Sequence, residues 1–284
     1  MNKIKMKKIA LLVITGLTLL ACGLVDKAKE QGVNMYTVSQ DKELGAQVAK
    51  EIASNPTEYP LVDSAANPEL YAYVYKIRNK ILNSGKVTHK DDFNWQVKII
   101  KNDTVLNAFC TPGGYIYIYT GIMKYLDSED ELAGVLGHEI AHADMRHSTR
   151  QMTTMYGVDA VLSAIAGNKE MIKNISASLI GLKFSRNHET EADSKSVEYL
   201  CPTDYNANGG GKFFEKMVAA GNSRTIEFLS THPNSEGRIE NYNAKKAEYG
   251  CTGNKDYKSE YANMKKLLNN IKTGGFGGSV IIRR

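Results

Sequence analysis

Apolar residues recur at helical spacing in two segments of the first third of the chain. The segments cover residues 41–53 and 68–82. Their apolar positions lie three or four residues apart: Leu44, Val48 and Ile52 in the first, and Leu70, Val74, Ile77 and Ile81 in the second. Because residues at this spacing share one face of an α-helix, both segments are predicted to be amphipathic helices.

Two β-rich segments follow, at residues 93–100 and 114–119. The second alternates strictly, with Tyr115, Tyr117 and Tyr119 on one side and Ile116 and Ile118 on the other. This alternation predicts a strand with two distinct faces. We expect the tyrosines to pack within the sheet rather than to line a cleft. Between the two segments, a Pro-Gly-Gly sequence near residue 113 indicates a turn.

The rest of the chain has a helical pattern. Ser128 and Glu131 match a capping box, and the helix that they begin is predicted to run to about His147. Further helices are predicted at about residues 152–182, 186–200, 210–220, 236–249 and 256–272. An apolar stretch at residues 158–167 is interrupted by an acid, which favours a buried helix over a membrane span. A mostly helical chain with one small sheet predicts an α+β fold.

The first twenty-two residues have the pattern of an export signal. A basic start is followed by twelve apolar residues and by Leu19-Leu20-Ala21-Cys22. Twelve helical residues cover only about 18 Å, less than a bilayer requires. The tetrapeptide resembles the bacterial lipobox, which predicts cleavage after residue 21, acylation of Cys22 and a lipidated tether over residues 22–38. The alternative is a plain secretory signal with a chance cysteine. Gly23 at the next position favours the outer membrane.

The net charge of the chain is smaller once residues 1–21 are left out. The 284 residues include 36 Lys and Arg against 31 Asp and Glu, for a net charge of +5. Four of the lysines and none of the acids lie in residues 1–21, so the remaining chain is almost neutral. This balance excludes a general nucleic-acid partner. A composition of 42% apolar and 24% charged residues is typical of a folded protein.

Three cysteines remain beyond Cys22. Export to an oxidising compartment favours pairing of two of them. Cys201 and Cys251 each follow a predicted helix beside turn-forming residues, so we favour a disulfide between them. The alternative, in which all three stay reduced, is left open. Cys110 is too isolated from any candidate base to be a nucleophile.

The candidate chemistry lies in the sequence His138-Glu139-Ile140-Ala141-His142. Residues four apart share a helix face, so both imidazoles can bind one metal ion with Glu139 beside it. Imidazole suits Zn²⁺, and a catalytic zinc site keeps one position for water. Glu139 can take a proton from that water and pass it to a leaving amine. The pattern predicts one zinc ion per chain and amide hydrolysis.

The third ligand has to come from elsewhere. The metzincin spacing would require His at position 148, where the chain has Ser. His147 is predicted to be rotated off the metal face and to hydrogen-bond locally. Glu189 and Asp193 are four apart, so one can bind the metal while the other accepts the free N–H of a ligand histidine. We take Glu189 as the ligand and Asp193 as the acceptor, although an exposed Asp193 is the alternative. Glu191 is rotated roughly 200° from Glu189 and cannot join them.

Three further motifs are the Asn107–Gly114 segment, Thr231-His232-Pro233 and Arg238-Ile239. Together with the motifs above, they resemble the gluzincin family of CAAX prenyl proteases, HtpX-like proteases and BepA-like proteases. The resemblance covers about residues 40–250 and is closest to the short exported LoiP-like lipoprotein branch. It implies a zincin-type domain over residues 39–250, followed by a C-terminal helix and flexible Gly-rich tail over residues 251–284. It also implies His138, His142 and Glu189 as zinc ligands and Glu139 as the catalytic base.

Further expectations follow from the resemblance. The strand over residues 114–119 resembles the family's edge strand, which flanks the zinc cleft and pairs with an extended substrate. His232 and Arg238 are candidates for stabilising the oxyanion, and His232 could also occupy the open metal position in a resting enzyme. The alternative is that His232-Pro233 forms a turn and Arg238 an ion pair at a helix start. The implied function is a zinc metalloendopeptidase, lipid-anchored in the bacterial envelope, most readily the outer membrane facing the periplasm, that degrades misfolded or unassembled envelope proteins. The alternative is a zinc-bound, chaperone-like scaffold that binds unfolded chains without cleaving them. The oligomeric state is left open.

Overall fold

The computed structural model describes residues 34–220, 227–233 and 237–272. The predicted signal peptide, Cys22, residues 22–33 of the predicted tether and the Gly-rich tail lie outside the described residues.

The described chain is mostly helical with one small sheet, which confirms the predicted α+β class. Its elements in chain order are α1 (Val38–Ala53), α2 (Pro68–Leu82), β1 (Gln96–Ile100), β2 (Ala108–Thr111), β3 (Tyr115–Tyr119), α3 (Thr120–Tyr125), α4 (Glu129–Asp144), α5 (His147–Ile165), α6 (Lys169–Ile180), α7 (Arg186–Leu200), α8 (Gly209–Ala219), α9 (Glu227–Thr231), α10 (Arg238–Glu248) and α11 (Lys258–Asn269).

The sheet has the order β1-β3-β2, with β3 parallel to β1 and antiparallel to β2. The expectation that β3 is the edge strand is therefore wrong. All five residues of β3 are buried, and the strand pairs with a neighbour on each side. The two edge strands are β1 and β2. The sequence pattern did not predict β2, because its four residues stand directly beside the Pro-Gly-Gly turn. Its short length hides any alternation.

Each face of the sheet covers its own hydrophobic core. Ile116 and Ile118 belong to a core built with α2, α4, α7 and α8. The three tyrosines of β3 belong to a second core with α1, α5 and α6. The strict alternation of β3 thus separates two layers of helices. The tyrosines are at most 7% exposed and pack in the sheet, as predicted.

Helix α4 lies at the centre of the fold, and all sixteen of its residues are buried. Its start differs from the predicted capping box. The Ser128 hydroxyl accepts no backbone bond and instead donates to the Glu131 carboxylate at 3.0 Å, while Glu131 accepts from the backbone N–H of Asp127, also at 3.0 Å. Ser128 is the N-cap residue, as predicted, but the reciprocal bonds of a capping box do not form, and the Glu129 N–H donates to the Asp256 carbonyl at 2.9 Å.

The other end of α4 also departs from the prediction. The helix ends at Asp144 rather than near His147, because Arg146 adopts a left-handed backbone with φ of 57°. The Arg146 guanidinium reaches Asp41 and the backbone carbonyl of Tyr36, both at 2.5 Å. Contacts from a segment more than a hundred residues away hold this turn. His147 then begins α5 in a new direction.

Another boundary differs from prediction. The helix expected at 152–182 is divided between α5 and α6, because Gly167 adopts φ of 93° and the Asn168 side chain caps α6 through Met171 N–H. The helix predicted at about 210–220 is α8, and its first turn is Gly209–Gly211. A Cβ at Gly134 of α4 would stand 2.2 Å from the backbone nitrogen of Gly210, so α4 and α8 approach to backbone contact.

The C-terminal helices are joined to the body of the domain by a disulfide between Cys201 and Cys251, across 50 residues of sequence. Cys110 is a free, buried thiol. Among the residues with a described structure, none of the helices combines the length and apolar character that a bilayer span demands. The apolar stretch at 158–167 lies half-buried in α5, with Val161 inside and Leu162 39% exposed.

Candidate metal centre

Four buried side chains from three parts of the chain converge beside α4. His138 and His142 stand one turn apart on that helix, Glu189 comes from the first turn of α7, and His232 follows α9. One donor atom from each lies within 4.8 Å of the other three. All four side chains are at most 2% exposed. The i, i+4 spacing of the histidines and the packing of α4 on α7 produce this cluster.

The donor atoms of the histidines point at one another. His138 Nε2 lies 2.9 Å from His142 Nε2 and 3.2 Å from His232 Nδ1. Glu189 lies 3.4 Å from each of the two α4 histidines. Two imidazole lone pairs cannot face each other at 2.9 Å, so a proton or a metal ion must lie between them. Three imidazoles and one carboxylate are the donor set that Zn²⁺ prefers.

Charge balance also fits a divalent cation. The carboxylates of Glu139, Glu189 and Asp193 are all fully buried. Among the described residues around the donors, one guanidinium, that of Arg238, faces two of them. Burial opposes ionisation of Glu189, but His232 and the other ring nitrogens hold its pKa well below the usual range. A bound divalent ion would offset the remaining negative charge.

Asp193 lies behind His138. Its Oδ1 is 2.9 Å from His138 Nδ1, on the side of the ring that faces away from the donor cluster. Burial opposes protonation of His138, but Asp193 and Glu189 outweigh it and raise the pKa of the ring to about 9. Without a metal, a proton is held at His138, and metal binding would displace it.

Arg238 is occupied by carboxylates. Its Nε and Nη2 donate to Asp193 at 2.7 and 2.5 Å, and its Nη1 lies 3.1 Å from Glu189. The side chain is 3% exposed, and its Nη1 is close to Glu189 without forming a hydrogen bond within the described part of the chain. The structure therefore places Arg238 against the carboxylates of Asp193 and Glu189. Its expected oxyanion role stays a prediction.

Glu139 lies beside the donor cluster but outside its hydrogen bonds. Within the described residues neither of its carboxylate oxygens has a hydrogen-bond partner, and His232 Nε2 stands 3.5 Å from one of them. Burial raises the pKa of Glu139. Burial of a carboxylate that has no hydrogen-bond partner costs free energy unless a bound ligand uses it. Such a carboxylate beside a cluster of metal-binding donors is typical of a group that exchanges protons.

Cys110 on β2 is adjacent to this carboxylate, which corrects the expectation that it is remote from any base. Burial, followed by the charge of Glu139, raises the pKa of the Cys110 thiol well above its usual value. The thiol therefore stays protonated and is not a nucleophile. Its position shows that the edge strand runs past Glu139.

A model of Peptidase family M48 matches residues 68–246 of the chain, a range that contains the cluster. The chain belongs to peptidase family M48. This confirms the resemblance inferred from the motifs. The match spans α2 to α10, the elements that supply every donor described above.

Several curated relatives share this M48 region. The chain is 32% identical to the mitochondrial metalloendopeptidase OMA1 of Schizosaccharomyces pombe, over 59% of the chain and 50% of that protein. It is 26% identical to the beta-barrel assembly-enhancing protease of Escherichia coli K12, over 72% of the chain and 43% of that protein. It is 29% identical to the E. coli metalloprotease YcaL, over 48% of the chain and 56% of that protein. The chain thus spans about half the length of these relatives.

Two residues of the M48 site were not anticipated in their observed positions. His147, expected to lie off the metal face and to bond locally, contacts the ring of His142, with 2.8 Å between their Nδ1 atoms. Glu191, correctly placed off the metal face, bonds His147 Nε2 at 3.0 Å. Burial, against the pull of Glu191, lowers the pKa of His147 to about 4, so the ring is neutral at pH 7. No feature of the sequence indicates the left-handed turn at Arg146. The contact between His147 and His142 depends on that turn and therefore could not be predicted.

Aromatic rings close the M48 site from outside. Phe184 stacks on His142 with 4.0 Å between ring centroids, and Phe228 stacks on His232 at 4.4 Å. These apolar walls limit solvent access to the donors and strengthen electrostatic interactions among them.

Proposed function

We propose that this chain is a zinc metalloendopeptidase. The observation that carries the proposal is the convergence of His138, His142, Glu189 and His232 with the unpartnered carboxylate of Glu139 beside them. The names of the M48 relatives, which include metalloendopeptidases and proteases, support the same reaction class.

His138, His142 and Glu189 would hold the metal, and Asp193 would fix the ring of His138. When bound, zinc supplies Lewis-acid activation of a water molecule and of the scissile carbonyl. Glu139 accepts the proton of that water and delivers it to the leaving amine, a role that its raised pKa suits. The nucleophile is water, so the chain provides no covalent intermediate.

His232 has two possible tasks in this scheme. Catalytic zinc sites take three protein ligands and leave a position for water. As a fourth donor, His232 would hold the site in a resting arrangement. Displaced from it, the ring can donate to the oxyanion from the side of Glu139, which its Nε2 already faces at 3.5 Å.

The substrate is proposed to be extended polypeptide bound along β2. This strand pairs with β3 on one side, and its Cys110 stands beside Glu139. A chain added to the other side of β2 would be held through its backbone, a contact that discriminates little between side chains. Unfolded or misassembled proteins fit such a site better than one defined sequence.

The proposed location is the bacterial cell envelope, with a lipid on Cys22 and the catalytic domain in the periplasm, most readily at the outer membrane. The lipobox-like Leu19–Cys22 carries this part of the proposal. The name of the relative from E. coli, a beta-barrel assembly-enhancing protease, is consistent with envelope substrates.

The test of the reaction compares wild type with Glu139→Gln in casein cleavage, with zinc measured in both. We expect one zinc per chain in each protein and cleavage by wild type alone, because the amide cannot take a proton from water. Equal cleavage would remove Glu139 from the mechanism. Absence of cleavage in both zinc-loaded proteins would favour the scaffold alternative.

The test of the anchor is Cys22→Ser. Wild type produced in a bacterial host should fractionate with membranes and show a diacylglyceryl mass increment, and the variant should lose both. A wild type found wholly in the soluble fraction with an unmodified Cys22 would refute the lipoprotein assignment and leave the peptidase assignment intact.

A further inference from the structure

We propose that His147 and Glu191 form a two-step relay that positions His142 as a metal ligand. The proposal rests on the metallopeptidase function above and adds two positioning residues to it. Neither residue lies within the donor cluster.

The relay is a continuous line of short contacts. His142 Nδ1 lies 2.8 Å from His147 Nδ1, and His147 Nε2 lies 3.0 Å from the carboxylate of Glu191. His142 and His147 are completely buried, whereas the Glu191 side chain is 22% exposed. The line therefore runs from the metal cluster to the surface of α7.

Hydrogen-bond chemistry fixes the direction of the relay. A carboxylate only accepts, so His147 must carry its proton on Nε2. His147 Nδ1 is then a lone pair, and His142 Nδ1 must be the donor to it. This tautomer leaves the lone pair of His142 on Nε2, the atom that faces His138 and Glu189. The relay thus presents His142 to a metal in the only tautomer that can bind there.

The backbone is shaped to make this contact. Five positions along an uninterrupted α-helix would turn His147 away from the face of His142. The left-handed Arg146 breaks the helix and turns the chain so that the two rings meet. A stack of His147 on His188, at 4.3 Å between centroids, fixes the plane of the ring.

The experiment measures zinc affinity by competition with a chromophoric chelator and records the visible spectrum of the Co²⁺-substituted protein. Loss of an outer partner of a ligand histidine lowers metal affinity about 10–100-fold. We expect a loss in that range for His147→Ala, together with an altered cobalt spectrum. His147→Asn places an amide oxygen near the former Nδ1 and should recover most of the affinity.

Glu191→Ala has a matched control on the same helix. Glu198 is likewise partly exposed, 28% against 22%, and pairs with Lys195 at 2.8 Å. Glu191→Ala should weaken zinc binding about tenfold, at the lower end of the range for outer partners. Glu198→Ala removes the same charge without touching the relay and should leave affinity within about twofold.

The outcomes distinguish failure of the relay from failure of the peptidase proposal. Unchanged affinity and cobalt spectrum in His147→Ala and Glu191→Ala would overturn the relay while leaving the peptidase proposal intact. Equal losses in Glu191→Ala and Glu198→Ala would also overturn it, because the effect would be one of general charge. If His147→Ala does not fold, His147→Asn and Glu191→Ala decide. A wild type that binds no zinc would refute the peptidase proposal and the relay together.

Discussion

The two histidines of α4 are supported in opposite ways. Behind His138 lies a closed ionic cluster, in which Asp193 also accepts from Arg238 at 2.7 Å and from the Tyr242 hydroxyl at 3.0 Å. Every member is at most 3% exposed. Behind His142 lies an uncharged ring that leads to the partly exposed Glu191.

This difference in burial predicts that one set of residues mainly affects folding stability and the other mainly affects metal affinity. A charge removed from a fully buried pair strands its partner, which costs several kcal/mol, whereas a partly exposed carboxylate is solvated when its partner is lost. The residues behind His138, which are Asp193, Arg238 and Tyr242 and form the His138 side, should therefore affect both the folding stability of the domain and its metal affinity. The His142 side should affect metal binding with little change in folding.

The largest expected effect is that of Asp193→Ala. The change leaves the Arg238 guanidinium buried without its main acceptor, and should lower the free energy of unfolding by about 3–5 kcal/mol. Urea denaturation of the zinc-free protein measures it. Asp193→Asn, which keeps an acceptor oxygen, should recover part of the loss. If Asp193→Ala lowered the free energy of unfolding by less than Glu191→Ala does, the comparison between the surroundings of His138 and of His142 would be wrong.

Zinc withdrawal is expected to have the next largest effect. At a free zinc concentration about 100 times its Kd, binding contributes about 2.7 kcal/mol, which corresponds to about 5–10 °C in Tm for a domain of this size. Calorimetry with and without chelator measures the shift. The shift should be smaller in both Asp193→Ala and His147→Ala, because each loosens one ligand ring. A Tm indifferent to chelation would contradict metal binding at the cluster.

A double-mutant cycle tests whether Asp193 and Arg238 act as one unit. Arg238→Met in the Asp193→Ala background should cost about 0.5–3 kcal/mol less than in wild type, because the Asp193 carboxylate that the change strands in wild type is already absent. Additive losses in denaturant titrations would show that the two residues are independent and that the closed cluster is not cooperative.

The smallest effect is expected at the outer end of the His142 side. Arg150 Nη1 lies 3.8 Å from Glu191, at the limit of an ion pair. Arg150→Gln should change unfolding free energy by less than about 0.5 kcal/mol, the range of exposed pairs. Zinc affinity should be unaltered. A larger loss of affinity would extend the relay by one residue.

Local spacing made much of the site predictable. The pairs His138 with His142 and Glu189 with Asp193 each stand four apart, and a helix places such residues on one face whatever the rest of the chain does. The strict alternation of β3 likewise determined which side chains face each core. These features depend only on neighbours in sequence.

What could not be predicted depends on distant contacts. The turn at Arg146 is held by Asp41 and Tyr36, and nothing near residue 146 indicates it. The order of the strands, with β3 central, depends on pairing between residues as far apart in sequence as Gln96 and Tyr115. The fork of Arg238 on Asp193 joins residues 45 apart and only becomes evident once α7 and α10 are side by side.

The segment that precedes α1 determines how far the protein can be shortened for laboratory work. Asn34 bonds Thr149 at 2.9 Å, and the Tyr36 hydroxyl bonds the Gly157 carbonyl at 2.6 Å. With Asp41, the segment also holds the turn that brings His147 to His142. A recombinant form designed without the export signal should therefore begin no later than Asn34. One that begins at the start of α1 would lose part of the support of the active-site helix, although every ligand would still be present.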